Sequence, residues 1–141
     1  MTRGVADVNV LVSAVIAIEG IPACRVFRAA VAGQWQLVAS PHLIADLDQV
    51  LHRDKFRRSI TVGEAERHVE VVRGLAELVP DPPLPWPVVT RDPDDDYLVA
   101  LARRANVDVL ISGDVHLTEL VDLVPPVRTP AQFLTMLTTE R

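Results

Sequence analysis

The chain has 141 residues, of which 49% are hydrophobic and 4% aromatic, and its formal net charge is −5. This length and composition exclude a disordered or fibrous protein and predict one globular domain over residues 1–141, with a core of Val, Leu, Ile and Ala. The acidic balance argues against a protein that coats nucleic acid through bulk positive charge, but it allows an enzyme whose acidic residues are neutralised by bound cations. The single cysteine, Cys24, excludes an internal disulfide and favours a reducing, cytoplasmic environment.

The N-terminal region predicts one strand followed by two helices. The segment "GVADV" is typical of a short buried strand, and helical spacing follows from Val10 to Ile18 and from Cys24 to Val31. We expect this apolar region to be buried structure rather than a signal peptide or a membrane span. Asp7 and Asn9 interrupt it, and the apolar run is too short to cross a bilayer.

A second strand, "WQLVAS", precedes a helix whose first residues are typical of a helix start. Ser40 has the position of an N-cap and Pro41 that of the first helical residue. The apolar residues of one helical face follow: Leu43, Leu47, Val50 and Leu51.

The middle of the chain predicts a helix and then a proline-rich connector. Thr61 and Glu64 have the spacing of a capping box. Apolar residues then repeat every three or four positions at Val69, Val72, Leu75, Ala76 and Val79. The segment "PDPPLPWP", residues 80–87, cannot be helical, so we expect it to run extended over the surface.

The last third repeats the alternation of helix and strand. Asp92 and Pro93 open a helix whose inward residues are Leu98, Val99, Ala102 and Ala105. "VDVLIS" predicts a third strand, and Asp114 stands where the next helix begins. A short strand at Val127 precedes a last helix, which starts with a capping box of Thr129 and Gln132.

This alternation predicts an α/β protein with a mostly parallel central sheet and helices on both faces. In such sheets, ligands bind beyond the carboxyl ends of the strands, where the connections diverge. Asp7 and Asp114 both follow predicted strands, and residues 92–96 precede the strand that carries Asp114. We therefore expect these acids to meet at one edge of the sheet, with Asp46 on a helix that borders the same cleft.

The acidic residues at 92–96 have two interpretations. Asp92 before a proline is typical of an N-cap, and Asp94 and Asp96 suit the first turn of a helix in the same way. One helix needs only one cap, however, and carboxylates packed together repel one another unless a cation lies between them. Asp7 is also costly to bury in so apolar a segment without a partner.

A hard divalent cation fits this set of ligands. Mg²⁺ and Mn²⁺ prefer oxygen ligands completed by water, whereas zinc prefers histidine and cysteine clusters, which the sequence lacks. Carboxylate-bound divalent cations activate water and stabilise the charge that develops in phosphodiester hydrolysis. Asn9, and less strongly Ser112, are candidates to orient water or phosphate through hydrogen bonds, although either is also a common turn residue.

Four segments together resemble PIN-domain proteins. "ADVNVLVSAV" resembles their opening Asp-Thr-Asn-Val-Leu-Val-Ser-Ala, and "SPHLIADLDQVLHRDKF" resembles their Ser-Pro-x-Leu-Leu-x-Glu-Leu helix with trailing basic residues. "RDPDDDYLVALARRANVDVLISGDVHL" resembles their Asp-Pro-Asp-Asp helix, strand and Thr-Gly-Asp turn, and "TPAQFL" resembles their closing helix. The likeness spans nearly the whole chain in the same order.

The resemblance is to the branch of VapC-related toxins of toxin–antitoxin pairs. It implies a three-layer α/β/α fold, a Mg²⁺- or Mn²⁺-dependent ribonuclease that cleaves RNA, an antitoxin partner and a homodimer. We expect no membrane partner, because the apolar N-terminal run is too short to cross a bilayer. By position, it implies metal-binding roles for Asp7, Asp46, Asp95 and Asp114. Asp95 is chosen because the family's acid stands seven residues before the alanine matched by Ala102.

Three positions depart from the family pattern. Val8 stands where Thr or Ser is usual, Asp46 replaces the usual Glu, and His116 occupies a position that is often acidic. The first change removes a hydroxyl beside the site, the second shortens a carboxylate by one methylene, and the third lowers the negative charge.

The basic residues after the third helix allow two interpretations, a solvated surface or an RNA-facing rim. They are Arg53, Lys55, Arg57 and Arg58. We expect His42, His52 and His68 to be surface residues rather than metal ligands.

Two further functions compete with a nuclease. One is a catalytically weak interaction module that binds a partner through its acidic pocket. The other is phosphoryl transfer, as in haloacid-dehalogenase enzymes or response-regulator receivers. In the second case Asn9 stands where a second acid would be needed, and Lys55 does not follow a late strand as a receiver's lysine would.

Overall fold

The structure is a computed structural model that describes residues 1–17 and 19–139. Its five strands are Arg3–Ala6 (β1), Gln36–Ala39 (β2), Glu77–Leu78 (β3), Val109–Ile111 (β4) and Val127–Arg128 (β5). Its α-helices are Val8–Ile16 (α1), Pro22–Val31 (α2), Pro41–Leu51 (α3), Val62–Leu75 (α4), Pro93–Arg104 (α5), Val115–Thr118 (α6) and Pro130–Thr139 (α7). A 3₁₀ turn, Asp54–Phe56, follows α3.

The strands form one parallel sheet in the order β3-β2-β1-β4-β5. Crossovers between parallel strands are right-handed, so the helices after β1 and β2 cover one face. The helix α5, which follows β3 and lies against β1 and β4, covers the other face. The predicted three-layer α/β/α fold with a parallel sheet is therefore confirmed.

The order of the strands creates a switch point between β1 and β4. From β1 the chain leaves towards β2, whereas from β4 it leaves towards β5, although the two strands are paired with Ala6 opposite Ile111. A crevice opens where two such connections diverge. The residues that directly follow β1 and β4 therefore face each other across this crevice.

Apolar side chains from both faces of the sheet form the core, as the composition predicts. The central strands contribute fully buried residues, among them Val5, Leu37, Leu110 and Ile111. The sheet also carries Gly4, where a Cβ atom would lie 3.0 Å from Cγ1 of Val109. The close approach of β1 and β4 thus depends on a residue without a side chain.

The predicted helix starts are confirmed. The hydroxyl of Ser40 accepts from the amide of Leu43 at 3.3 Å. Thr61 and Glu64 form a reciprocal capping box, and Thr129 and Gln132 form another. Residues 80–87 are neither helix nor strand, as expected. Among the described residues, no helix has the length and apolar character that a bilayer span requires.

Two boundaries differ from the prediction. The strand in "GVADV" ends at Ala6, because Asp7 caps α1 instead of continuing the strand. The helix predicted to continue to Val79 ends at Leu75, and Glu77–Leu78 forms the edge strand β3, which pairs with β2. Helical periodicity could not reveal this pairing, because the partner strand is about 40 residues away. The predicted end of the first helix, Ile18, lies outside the described residues.

The prediction that His68 is a surface residue is wrong. His68 is buried on α4, where its Nε2 lies 2.9 Å from the carbonyl oxygen of Leu11. Its ring also packs against Phe27, with centroids 5.0 Å apart. Burial lowers the pKa of His68, while the hydrogen bond to Leu11 raises it by less. This histidine therefore connects three helices of the core.

Candidate functional site

A cavity of about 380 Å³ opens at the carboxyl edge of β1 and β4. Its walls come from the start of α1, the exposed face of α3, the first turns of α5 and the turn after β4. Six carboxylates line it: Asp7, Asp46, Asp92, Asp94, Asp95 and Asp114. The acids that the sequence predicts to meet at this edge of the sheet therefore line a cavity at its switch point.

Asp7 is held in place by both of its oxygens. Its backbone amide donates to the carbonyl of Ile111 at 2.8 Å, which joins the end of β1 to the end of β4. Oδ1 accepts from the amide of Asn9 at 3.2 Å, and Oδ2 accepts from the hydroxyl of Ser112 at 2.9 Å. Burial raises the pKa of Asp7, and the hydrogen bond from Ser112 opposes this effect.

Ser112 connects Asp7 to Asp114. Its fully buried hydroxyl donates to Asp7 and accepts from the amide of Asp114 at 3.0 Å. Asp114 then caps α6, since its Oδ1 accepts from the amide of His116 at 2.9 Å. The prediction placed Ser112 near water or phosphate, whereas its hydroxyl is used to orient the two acids.

The four aspartates at 92–96 have different roles. Asp92 is the N-cap of α5, with its Oδ1 2.9 Å from the amide of Asp94. Asp94 is exposed. Asp96 points away from the cavity and accepts from the amides of Val89 and Thr90 at 3.0 and 2.8 Å. Asp92 and Asp94 also line the cavity, but Asp95 is the buried member of the cluster that faces it.

Asp95 is buried, and its Oδ2 has no hydrogen-bond partner. Burial raises the pKa of Asp95 to about 7, and the negative charges of Asp114, Asp92 and Asp7 add to the effect. An unpartnered carboxylate oxygen that is buried among other acids is unfavourable unless a cation or a proton accompanies it. This single atom distinguishes Asp95 from every other member of its cluster.

Asp46 stands on the opposite wall. Its side chain is 39% exposed, and its Oδ2 lies 3.5 Å from Nε2 of His42, one turn earlier on α3. The ring of His42 packs edge-on against Tyr97, with centroids 4.6 Å apart. Asp46 therefore lines the cavity, but a histidine partners it.

Asn9 also lines the cavity, from the exposed first turn of α1. Val8, beside it, presents an aliphatic side chain to the cavity, as its type predicts. His116 does not line the cavity, and its backbone amide donates a hydrogen bond to Asp114.

The aromatic side of the cavity was missed by sequence reasoning. Tyr97 lines the cavity and packs against both His42 and Trp86. Its hydroxyl donates to Asp81 at 2.6 Å and is also paired with the hydroxyl of Ser40. One signal was available in advance: His42 lies four residues before Asp46, on the same helical face.

The donor set fits a hard divalent cation. The candidate ligands are carboxylate oxygens, one of them buried and unpartnered, which is the chemistry that Mg²⁺ and Mn²⁺ prefer. Across residues 1–17 and 19–139, however, no three His, Cys, Asp or Glu side chains converge as a ready-made metal-binding group. Within the cavity, Asp114 lies close enough to Asp95 to raise its pKa.

The fold and this cavity define an α/β/α protein with a carboxylate-lined pocket at the switch point of a parallel sheet. A family model described as PIN domain matches residues 3–116. The chain therefore belongs to the PIN-domain family, whose members are generally nucleases.

Two solved structures share the fold. The chain is similar to PAE2754 from Pyrobaculum aerophilum, with a TM-score of 0.69 and 15% identity, over 98% of this chain and 90% of that one. It is also similar to a chain in the structure of VapBC2 from Rickettsia felis bound to a DNA fragment from their promoter. That match has a TM-score of 0.59 and 11% identity, over 91% of this chain and 98% of that one. No curated protein matches the chain in sequence.

Proposed function

We propose that this PIN-domain protein is a Mg²⁺- or Mn²⁺-dependent endoribonuclease and the toxin of a toxin–antitoxin pair. One observation carries the proposal: the buried, unpartnered Oδ2 of Asp95 lies in a cavity that Asp7 and Asp114 also line. The membership of the PIN family supports nuclease chemistry. The similarity to a chain of a VapBC2 structure supports the fold that a toxin would need.

In this mechanism Asp7, Asp95 and Asp114 are the carboxylates that would hold the cation, and Asp46 would complete the set from α3. When bound, a divalent cation makes water more acidic and stabilises the charge of the reacting phosphodiester. Ser112 fixes the direction of Asp7 and the backbone of Asp114 through its two hydrogen bonds. Asn9 would orient the substrate or water by hydrogen bonding at the mouth of the cavity.

The same proposal implies a substrate, an inhibitor and an oligomeric state. RNA would be the substrate, a cognate antitoxin would inhibit the protein, and two copies of the chain would form a homodimer in the cytoplasm. Expression of the chain should then arrest bacterial growth, and a small protein encoded beside it should relieve the arrest. Harmless expression of a protein shown to cleave RNA would contradict the toxin role.

The second candidate function is a catalytically weak interaction module. It is favoured by one observation, that no three acidic or histidine side chains among the described residues form a ready-made metal site. The exposed position of Asp46 and its histidine partner agree with weak metal binding.

An RNA cleavage assay separates the two functions. The purified chain would be incubated with mixed RNAs in Mn²⁺, Mg²⁺ or EDTA, beside Asp7→Asn and Asp114→Asn. We expect cleavage in either metal, none in EDTA, and a loss of at least about a hundredfold in each variant, because each removes a charge that holds the cation. Asp48→Asn is the matched control, since Asp48 lies on α3 and pairs with His52. Cleavage that persists in EDTA would indicate a contaminant.

A further inference from the structure

Negatively charged side chains outnumber basic ones in the lining of the cavity. Six carboxylates line it, whereas His42 and Arg53 are the only basic lining residues in the described part of the chain. RNA is a polyanion, and bound cations would neutralise only the centre of the cavity. If the protein is a ribonuclease, as proposed above, the phosphates next to the reacting one still need a positive contact.

His42 is already engaged. Its imidazole lies 3.5 Å from the carboxylate of Asp46 and packs against the ring of Tyr97. The guanidinium of Arg53, by contrast, makes no hydrogen bond and no ion pair within the described part of the chain. Arg53 is thus an exposed, permanently charged group that lines an acidic cavity without pairing with any of its acids.

The rest of the basic run is used in other ways. Arg57 donates to the carbonyl of Leu51, and two of its guanidinium nitrogens are buried. Lys55 lies over the ring of Phe56, 5.0 Å from its centroid. Arg58 is exposed but does not line the cavity. Of the four basic residues that the sequence offers as an RNA-facing rim, Arg53 alone lines the cavity.

The position of Arg53 fits a phosphate next to the reacting one. Arg53 follows the C-cap of α3, His52. Asp46 lies five residues before the last helical residue, Leu51, which corresponds to roughly 8 Å along the helix axis. The C-terminal end of a helix repels anions through its partial negative charge. A cation at this position, such as Arg53, would offset that repulsion for an approaching phosphate.

We propose that Arg53 binds a backbone phosphate of the RNA strand adjacent to the reacting one, and so directs the strand along α3 towards its C-terminal end. Such a contact positions the substrate without reading its sequence. An arginine suits this role, because its guanidinium can donate two hydrogen bonds to one phosphate.

The test uses the salt dependence of binding, which counts phosphate contacts. A fluorescent single-stranded RNA of mixed sequence would be titrated in Mn²⁺ with the cleavage-blocked Asp95→Asn chain, from 50 to about 200 mM salt. Adding Arg53→Gln to this chain should raise the Kd for RNA about tenfold at low salt. It should also reduce the slope of log Kd against log salt by about 0.7, because one phosphate contact is lost. Arg53→Lys should keep the slope, and Arg58→Gln should change Kd less than twofold.

Kinetics of the otherwise unsubstituted chain give a second measurement. Arg53→Gln should raise KM about tenfold and leave kcat within twofold, because the contact holds the strand and not the reacting group. Circular dichroism should be unchanged, since the exposed Arg53 side chain makes no hydrogen bond or ion pair within the described residues.

The outcomes separate this inference from the proposed function. Equal effects of Arg53→Gln and Arg58→Gln, or no binding of RNA at all, would overturn the role of Arg53, even if Mn²⁺-dependent cleavage is intact. A chain that fails to cleave RNA but binds it with the expected Arg53-dependent salt slope would overturn the nuclease and leave the role of Arg53 supported.

Discussion

Asp95 and Asp96 are neighbours on one helical turn, yet they have opposite environments. Asp96 accepts three hydrogen bonds from residues 89–90, which satisfy one of its oxygens and anchor the connector to α5. Asp95 faces the cavity with an oxygen that has no partner. The difference arises because adjacent residues of a helix point about 100° apart.

The raised pKa of Asp95 predicts a pH-dependent cost to stability. In the unfolded chain its pKa is near 3.8, and in the folded chain it is about 7. The folded state therefore binds more protons between these values, and the free energy of unfolding falls as the pH rises from about 4 through 7. In metal-free buffer at pH 8, Asp95→Asn should raise that free energy by about 1–2 kcal/mol.

Urea unfolding at pH 5 and pH 8 measures this effect. The gain from Asp95→Asn should be smaller at pH 5, because the cost begins near the unfolded pKa of 3.8 and reaches its full value only above the folded pKa of about 7. Asp94→Asn is the matched control on the same turn, and its exposed side chain should change stability little at either pH. A variant that is equally stable to the parent at pH 8 would contradict the assigned environment of Asp95.

At the scale of elements, the turn after β4 organises the site. It places Ser112 at the end of the strand and Asp114 at the start of α6, so that one hydroxyl contacts two acids. Such strand-to-helix turns hold side chains more rigidly than loops, because their backbone groups are already paired within the sheet and the helix.

Ser112→Ala is expected to affect both stability and activity. It leaves Asp7 Oδ2 without its buried donor, which should lower the free energy of unfolding by about 1–2 kcal/mol. The loss of this hydrogen bond should also raise the pKa of Asp7 further and move the acidic limb of the pH–rate profile upwards. Ser59→Ala, an exposed serine, is the control. An unchanged pH–rate profile would show that Ser112 does not position Asp7.

At the scale of the whole molecule, the acidic cavity couples metal binding to folding. Mn²⁺ that binds only the folded chain should stabilise it by about 2–3 kcal/mol when its concentration is a hundred times Kd. Differential scanning calorimetry should show a higher Tm with Mn²⁺ and a return to the original Tm after EDTA. The shift should disappear in Asp7→Asn and persist in Asp48→Asn. An equal shift in both variants would place the cation elsewhere.

Much of the fold was predictable from local signals. Capping boxes, a proline at the first helical position and runs of buried apolar residues act within a few residues, so they located the starts of α3, α4, α5 and α7 correctly. Alternation of helix and strand then determined the parallel sheet, because consecutive strands on one sheet need a crossover helix. The domain boundaries, 1–141, remain a prediction.

The tertiary structure decided what depends on distant partners. The edge strand β3, the buried position of His68 and the link from Ser112 to Asp7 each join residues about 40 to 105 positions apart. The sequence determined which acids were available and at which edge of the sheet they would stand. The resemblance had already singled out Asp95, and the packing of α3 and α5 over that edge explains why Asp95 faces the cavity while Asp96 does not. Only this packing decided that Arg53 lines the cavity, because side-chain direction is set by how whole helices dock.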